Sequence, residues 1–209
     1  MNRTLSRCFN IADLRNVAKR RLPRALFDYI DGTAEDGVSG KSNRTVFDRY
    51  QLVPKALVDV SKVDYSSSIF GQKMTSPIIL CPTAFTRTFH HRGEIAVANA
   101  AKSAGLIYTL STVSNTSLED VAGTDVARWF QIYVYKDREL LKDLIERCKV
   151  AKYQALCLTV DASTPGNREH DLRNGLTVPP KPSLATILDA VKHPSWCWHF
   201  LTSPAITTA

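Results

Sequence analysis

The chain has 209 residues, 44% of them apolar and 22% charged, with 27 basic and 20 acidic side chains and a formal net charge of +7. This composition excludes a disordered chain, and the length can bury the core of one domain or a little more. The modest basic excess suits an anionic small molecule, a phosphate-bearing cofactor or an acidic membrane surface, and no nucleic-acid partner is expected.

In chain order, the spacing of Ile11, Leu14, Val17, Ala18 and Leu22 predicts a first helix, with Asn10 able to cap it. Pro23 opens a second short helix through Phe27 and Ile30, ended by Asp31-Gly32. A third helical stretch is expected from Ala34 to Phe47, and the chain up to about residue 75 reads as helix and irregular linker. The basic run KRRLPR (19–24) reads as a solvated helix face.

The pattern then changes. Ile78 to Cys81 is a short apolar run, as expected of a buried parallel strand. Gly93 to Ala104 reads as a helix closed by Gly105. Leu106 to Thr109 forms a second strand, and Ser117 to Val121 a short helix. Arg128 to Val134 is a third strand, Asp137 to Val150 an amphipathic helix, and Ala155 to Val160 a fourth strand. Residues 183–191 form a short amphipathic helix, followed by Trp196, Trp198, Phe200 and Leu201. Strand–helix alternation predicts βαβ units and a parallel sheet, either a small open sheet or half of an eight-stranded barrel.

The five cysteines include no C-x-x-C pair, so reduced thiols are expected rather than a disulfide framework or a zinc site. Cys148 and Cys157 lie in apolar runs and read as core filler. No secretory h-region and no apolar run of membrane-spanning length is present, so a cytoplasmic protein is expected.

In a parallel β/α architecture, ligands gather at the C-terminal ends of the strands. Pro82-Thr83-Ala84 follow the first strand and Ser111-Thr112 the second. Gln131 and Tyr133 lie on the third, and Thr159 and Asp161 end the fourth, with Arg168 a few residues on. An amide and hydroxyls suit the hydrogen-bonding edge of a heteroaromatic ring, and a guanidinium suits a carboxylate or phosphate. Glycine-rich nucleotide loops, the nucleophile elbow and the H-E-x-x-H motif are absent from the sequence.

The segments FDYIDGTAED (27–36), PTA (82–84), YTLST (108–112), FQIYVYKDR (130–138) and LTVDASTPGNRE (158–169) are collinear. The chain closely resembles the FMN-dependent α-hydroxy-acid dehydrogenases and oxidases in them. That family includes glycolate oxidases, lactate oxidases, mandelate dehydrogenases and cytochrome-linked L-lactate dehydrogenases. The resemblance implies an α/β fold, the N-terminal half of a (β/α)8 TIM barrel with four β/α units. Residues 1–75 would form a helical segment capping the barrel, and 76–160 its first four units. Residues 161–209 would form a long connection with an amphipathic, membrane-associated helix.

The same resemblance implies FMN as cofactor, with Pro82, Thr83 and Ala84 against the flavin ring and Ser111, Gln131 and Thr159 on its polar edge. Tyr29 and Arg168 would bind the carboxylate of a small 2-hydroxy-acid substrate. Tyr133 would reach the substrate hydroxyl, and Asp161 would orient the catalytic histidine. The family's S-N-H-G motif, its carboxylate-clamping arginine, its flavin-facing lysine and its phosphate site have no counterpart in this sequence. The isolated chain is therefore expected to be inactive; a non-catalytic half-barrel module and one chain of a split enzyme are the rival readings.

The runs STVSNTS (111–117) and HPSWCW (193–198), with Val113 and Ala84, resemble bacterial respiratory L-lactate dehydrogenases. That likeness implies L-lactate, a respiratory-chain electron acceptor, homo-oligomers and peripheral contact with the cytoplasmic side of the inner membrane.

Overall fold

A computed structural model describes residues 3–161, 164–176, 183–204 and 206. Ala162 and Ser163 of the LTVDASTPGNRE motif lie outside the described residues. The chain divides into two compact units, Met1–Ala56 with Thr164–Ser203, and Leu57–Ser163 with Pro204–Ala209. Residues 164–203 thus group with the N-terminal helices.

The first unit is helical. Helix α1 (Ile11–Arg21) is capped by Asn10, whose side chain accepts the Asp13 N–H at 2.8 Å. Val17 and Leu22 on its apolar face are buried, while Ile11 and Leu14 remain exposed. Helix α2 (Arg24–Asp31) buries Ala25, Leu26 and Phe27. Helix α3 (Val38–Thr45) begins later than residue spacing predicts, because Glu35 and Gly37 hold left-handed φ values of 48° and 70°.

The second unit opens with an antiparallel hairpin, β1 (Ser67–Ile69) and β2 (Gln72–Met74), in a stretch expected to be linker. Its turn residues Phe70 and Gly71 have φ values of 49° and 78°, as a tight hairpin requires. The usual Asn-Gly or Asp-Gly signal is missing there, and the strands are too short to show alternation.

The main sheet follows in the order β3 (Ile79–Leu80), β4 (Ile107–Ser111), β5 (Arg128–Ile132) and β6 (Ala155–Leu158), every neighbouring pair parallel. Strand β4 runs two residues past Thr109, whereas β5 and β6 stop two residues short of Val134 and Val160. Between the strands lie α4 (Thr86–Phe89), α5 (Gly93–Ala104), α6 (Leu118–Ala122) and α7 (Arg138–Val150). Ser117 caps α6 and Asp137 caps α7. Gly105 ends α5 with φ 65°, and a Cβ there would come within 2.5 Å of the Thr75 side chain.

The two faces of the sheet bury different residues, as the alternation of a strand demands. Tyr108, Leu110, Phe130 and Ile132 pack under the helices with Ala98, Val121, Leu144 and Cys148. Ile107 and Trp129 point the other way, onto Met74 of the hairpin, and Trp129 Nε1 donates to Gln72 at 2.9 Å. Ser111 and Gln131 are two residues beyond Thr109 and Trp129 on that second face. The hairpin packs against this second face.

The remaining helices are α8 (Glu169–Arg173), α9 (Leu184–Val191) and α10 (Pro194–Thr202), all in the first unit. No helix among the described residues is long and apolar enough to cross a membrane.

Candidate active site

In the second unit, the C-terminal strand ends are joined by one amide. Ser111 and Gln131 are register partners at the ends of β4 and β5. Gln131 Oε1 accepts the Ser111 hydroxyl at 3.3 Å and the Thr112 N–H at 3.2 Å. Gln131 Nε2 donates to the Thr159 hydroxyl at 2.6 Å, just past the end of β6. The Thr112 hydroxyl donates to the Gln131 main-chain carbonyl. Ser111, Thr112 and Gln131 are buried, and Thr159 is half-buried. Three of the sequence-derived candidates therefore form one continuous polar strip across three adjacent strands.

Pro82 and Thr83, after β3, are exposed, and Ala84 is half-buried. Phe85 follows with φ 56°, and its N–H donates to the Val113 carbonyl at 3.3 Å, tying this loop to the one after β4. Tyr133 is half-buried, its ring 6.4 Å from that of Tyr135. Burial, and then the neighbouring Tyr133, push the Tyr135 phenol above its ordinary value. Asp161 is exposed.

Glu94 was not legible as part of this region. It is fully buried in the first turn of α5, where its carboxylate accepts the Asn115 N–H at 3.0 Å and the Thr116 hydroxyl at 2.7 Å. Arg87 donates to the Asn115 carbonyl at 3.1 Å. These contacts pin the loop that carries Val113. In sequence, an acidic residue in a first helical turn signals only a favourable helix dipole.

In the first unit, Tyr29 lies in the last turn of α2 and Arg168 immediately before α8. The Arg168 guanidinium sits 4.9 Å from the centre of the Tyr29 ring and donates to the Tyr29 carbonyl. It also donates from Nε to Asp171 at 2.5 Å. The five histidines stand elsewhere: His90 and His91 stack on each other after α4, His170 is in α8, and His193 and His199 belong to α10. None is on a strand.

The donors of the polar strip match a flavin. The edge of the FMN ring system alternates carbonyl acceptors with an N–H donor, and Gln131 with two hydroxyl groups offers both polarities. The model of the FMN-dependent dehydrogenase family matches residues 18–209.

The chain belongs to the FMN-dependent dehydrogenase family.

Among curated relatives, it is 43% identical to an L-lactate oxidase of Nostoc sp. over 188 residues, covering 88% of this chain and 52% of that protein. It is 41% identical to glycolate oxidase 1 of Oryza sativa subsp. indica over 172 residues, covering 82% of this chain and 47% of the relative. Among solved structures, the monotopic membrane protein (S)-mandelate dehydrogenase superposes with a TM-score of 0.92 at 36% identity, over 97% of this chain and 54% of that one. A soluble mutant of the membrane-associated (S)-mandelate dehydrogenase from Pseudomonas putida matches over 86% of this chain and 51% of its own, with a TM-score of 0.78. The chain thus spans about half the length of the FMN-dependent dehydrogenases it matches. Its architecture is the N-terminal half of their (β/α)8 TIM barrel, four parallel strands with a preceding helical segment.

Proposed function

We propose that this chain supplies the flavin-edge and part of the substrate-binding half of an enzyme that oxidises small L-2-hydroxy acids, L-lactate foremost, to 2-oxo acids. The observation that carries this reading is the Ser111–Gln131–Thr159 strip across three strand ends. FMN, when bound, supplies the two-electron acceptor for a hydride leaving the α-carbon. Ser111, Gln131 and Thr159 would hold its polar edge, and the main chain at Pro82, Thr83 and Ala84 would lie against the ring.

Tyr29 would donate its hydroxyl to the substrate carboxylate, and Arg168 would assist with the substrate anion. The Tyr133 phenol donates to the substrate oxygen as it becomes a carbonyl, where negative charge develops. The Asp161 carboxylate orients a histidine base and stabilises its cationic form. That base would come from outside this half, since the family's S-N-H-G motif has no counterpart in the sequence. Turnover by the isolated chain should therefore be undetectable. Ala84 in place of a glycine favours a compact acid, lactate over mandelate, whereas the modest Val113 side chain leaves more room than a short-chain glycolate site.

Membrane attachment rests on α9 and α10. Leu184, Trp198 and Leu201 are 81%, 68% and 80% exposed, as suits a helix lying in a bilayer interface. The fuller match to the monotopic form of (S)-mandelate dehydrogenase than to its soluble mutant supports the same reading. Electrons would then pass to a membrane-bound respiratory acceptor.

The test is co-expression of the chain with the second half of a full-length lactate-oxidising relative, assayed with an artificial electron acceptor. L-lactate should be turned over faster than glycolate or (S)-mandelate. Tyr133→Phe and Asp161→Asn should each lower kcat by about a hundredfold, the scale of a lost transition-state hydrogen bond. A flavin-bearing complex that keeps full activity with both substitutions would refute the assignment.

A further inference from the structure

We propose that Asp171 is a positioning residue, which holds the Arg168 guanidinium across the Tyr29 ring and so fixes the direction of the Tyr29 phenol. The consequence for substrate binding rests on the reading of Tyr29 as a carboxylate ligand; the three-residue arrangement does not.

The arrangement begins with a helix that lacks a cation. The last four carbonyls of a helix have no partner within it, and a positive charge near them is favourable. Helix α2 has no basic residue in its last turn, and Tyr29 supplies one of those carbonyls. Arg168, from a distant part of the chain, donates to it through Nη2. The same planar group lies 4.9 Å from the centre of the Tyr29 ring. One guanidinium thus grips both the main chain and the ring of a single residue.

Two such contacts do not fix a flexible arginine unless its Nε is held as well. Asp171 holds it: Oδ2 accepts from Arg168 Nε at 2.5 Å, three residues along in the first turn of α8. Asp171 is only 6% exposed, and its Oδ1 is buried with no hydrogen-bond partner among the described residues. A carboxylate is costly to bury and is retained where a charge partner demands it. With Nε and Nη2 committed, Arg168 keeps only Nη1 without a protein acceptor among the described residues. Its main effect on a substrate anion therefore passes through Tyr29.

The neighbouring polar groups serve α2 separately. Asn174 donates to Asp28 at 3.0 Å, and Arg24 lies 3.4 Å from the same carboxylate. Neither competes for Arg168.

The experiment places 3-fluorotyrosine at position 29 alone in the full chain and records its fluorine resonance. Arg168→Met should move the resonance toward the position of the unfolded chain. Asp171→Asn should move it in the same direction, and the double variant should go no further than Arg168→Met. Asp171→Glu, which keeps the charge, should recover part of the native shift; it also serves if Asp171→Asn fails to fold. If Asp171 only stabilised the fold, its substitution would lower the melting temperature and leave the resonance of the folded form in place. That result, or an unmoved resonance in Arg168→Met, overturns the proposal. The substrate reading is scored separately by adding L-lactate to the complemented enzyme. An unmoved Tyr29 resonance there removes Tyr29 from the substrate site and leaves its tie to Arg168 and Asp171 standing.

Discussion

Gln131 works as a junction because a primary amide donates and accepts at the same time. No apolar side chain of similar size can replace it. Gln131→Leu leaves the buried Thr112 N–H without its acceptor and the Thr159 hydroxyl without its donor. The expected loss is about 1–3 kcal/mol, seen as a lower urea midpoint, the cost of stranding a buried polar group. An unchanged midpoint would mean that the strip does not hold the strand ends together. Ser111, Gln131 and Thr159 were legible in the sequence because they stand on predicted parallel strands or at their C-terminal ends, where such an architecture gathers its ligands. Glu94 was not, because its role depends on a loop 21 and 22 residues further along the chain. Cys148 offers a second check at this scale. Burial pushes its thiol up to about 12. In the unfolded chain the thiol ionises near its ordinary value of about 8.5, while the folded form keeps its proton. Its contribution to stability is thus complete below that ordinary value and is lost as pH rises through about 12. Iodoacetamide at about pH 8 should label exposed Cys81 and spare Cys148 until denaturant is added. Equal labelling of the two in the native chain would contradict the buried placement of Cys148.

The strand–helix alternation was readable because period and length agree along most of the second unit. Asn10, Ser117, Asp137 and Gly105 marked helix ends that the structure keeps. The β1–β2 hairpin was hidden by three-residue strands and a Phe-Gly turn. Helix α10 was hidden by its aromatic composition, which carries little helical preference, although Pro194 at its start fits the first turn. Helices α9 and α10 leave Leu184 and Leu201 open to solvent, so their replacement should cost the fold little. Replacing both with Asp should weaken co-sedimentation with acidic-lipid vesicles at least roughly tenfold, since each buried leucine is worth about 1.5–3 kcal/mol. Undiminished co-sedimentation would place membrane attachment elsewhere or nowhere.

At the scale of the molecule, the sheet ends at β6, and Leu156, Leu158 and Val160 beside that edge are exposed. An open parallel edge with apolar neighbours is a surface that favours a covering strand and helix. The family's full barrel supplies such cover, and the chain spans about half of it. The proposed flavin site follows this division: its ring-edge groups stand at the ends of three adjacent strands, and the phosphate site and histidine base would come from the other half. The isolated chain should therefore bind FMN weakly and lose it on gel filtration. The most direct test is the flavin content of the complemented complex, read from its visible absorbance after gel filtration. The wild-type complex should retain stoichiometric FMN, and Gln131→Leu should lose most of it while the two halves remain associated. A complex that assembles without flavin, or one that keeps all its FMN with Gln131→Leu, would contradict the account.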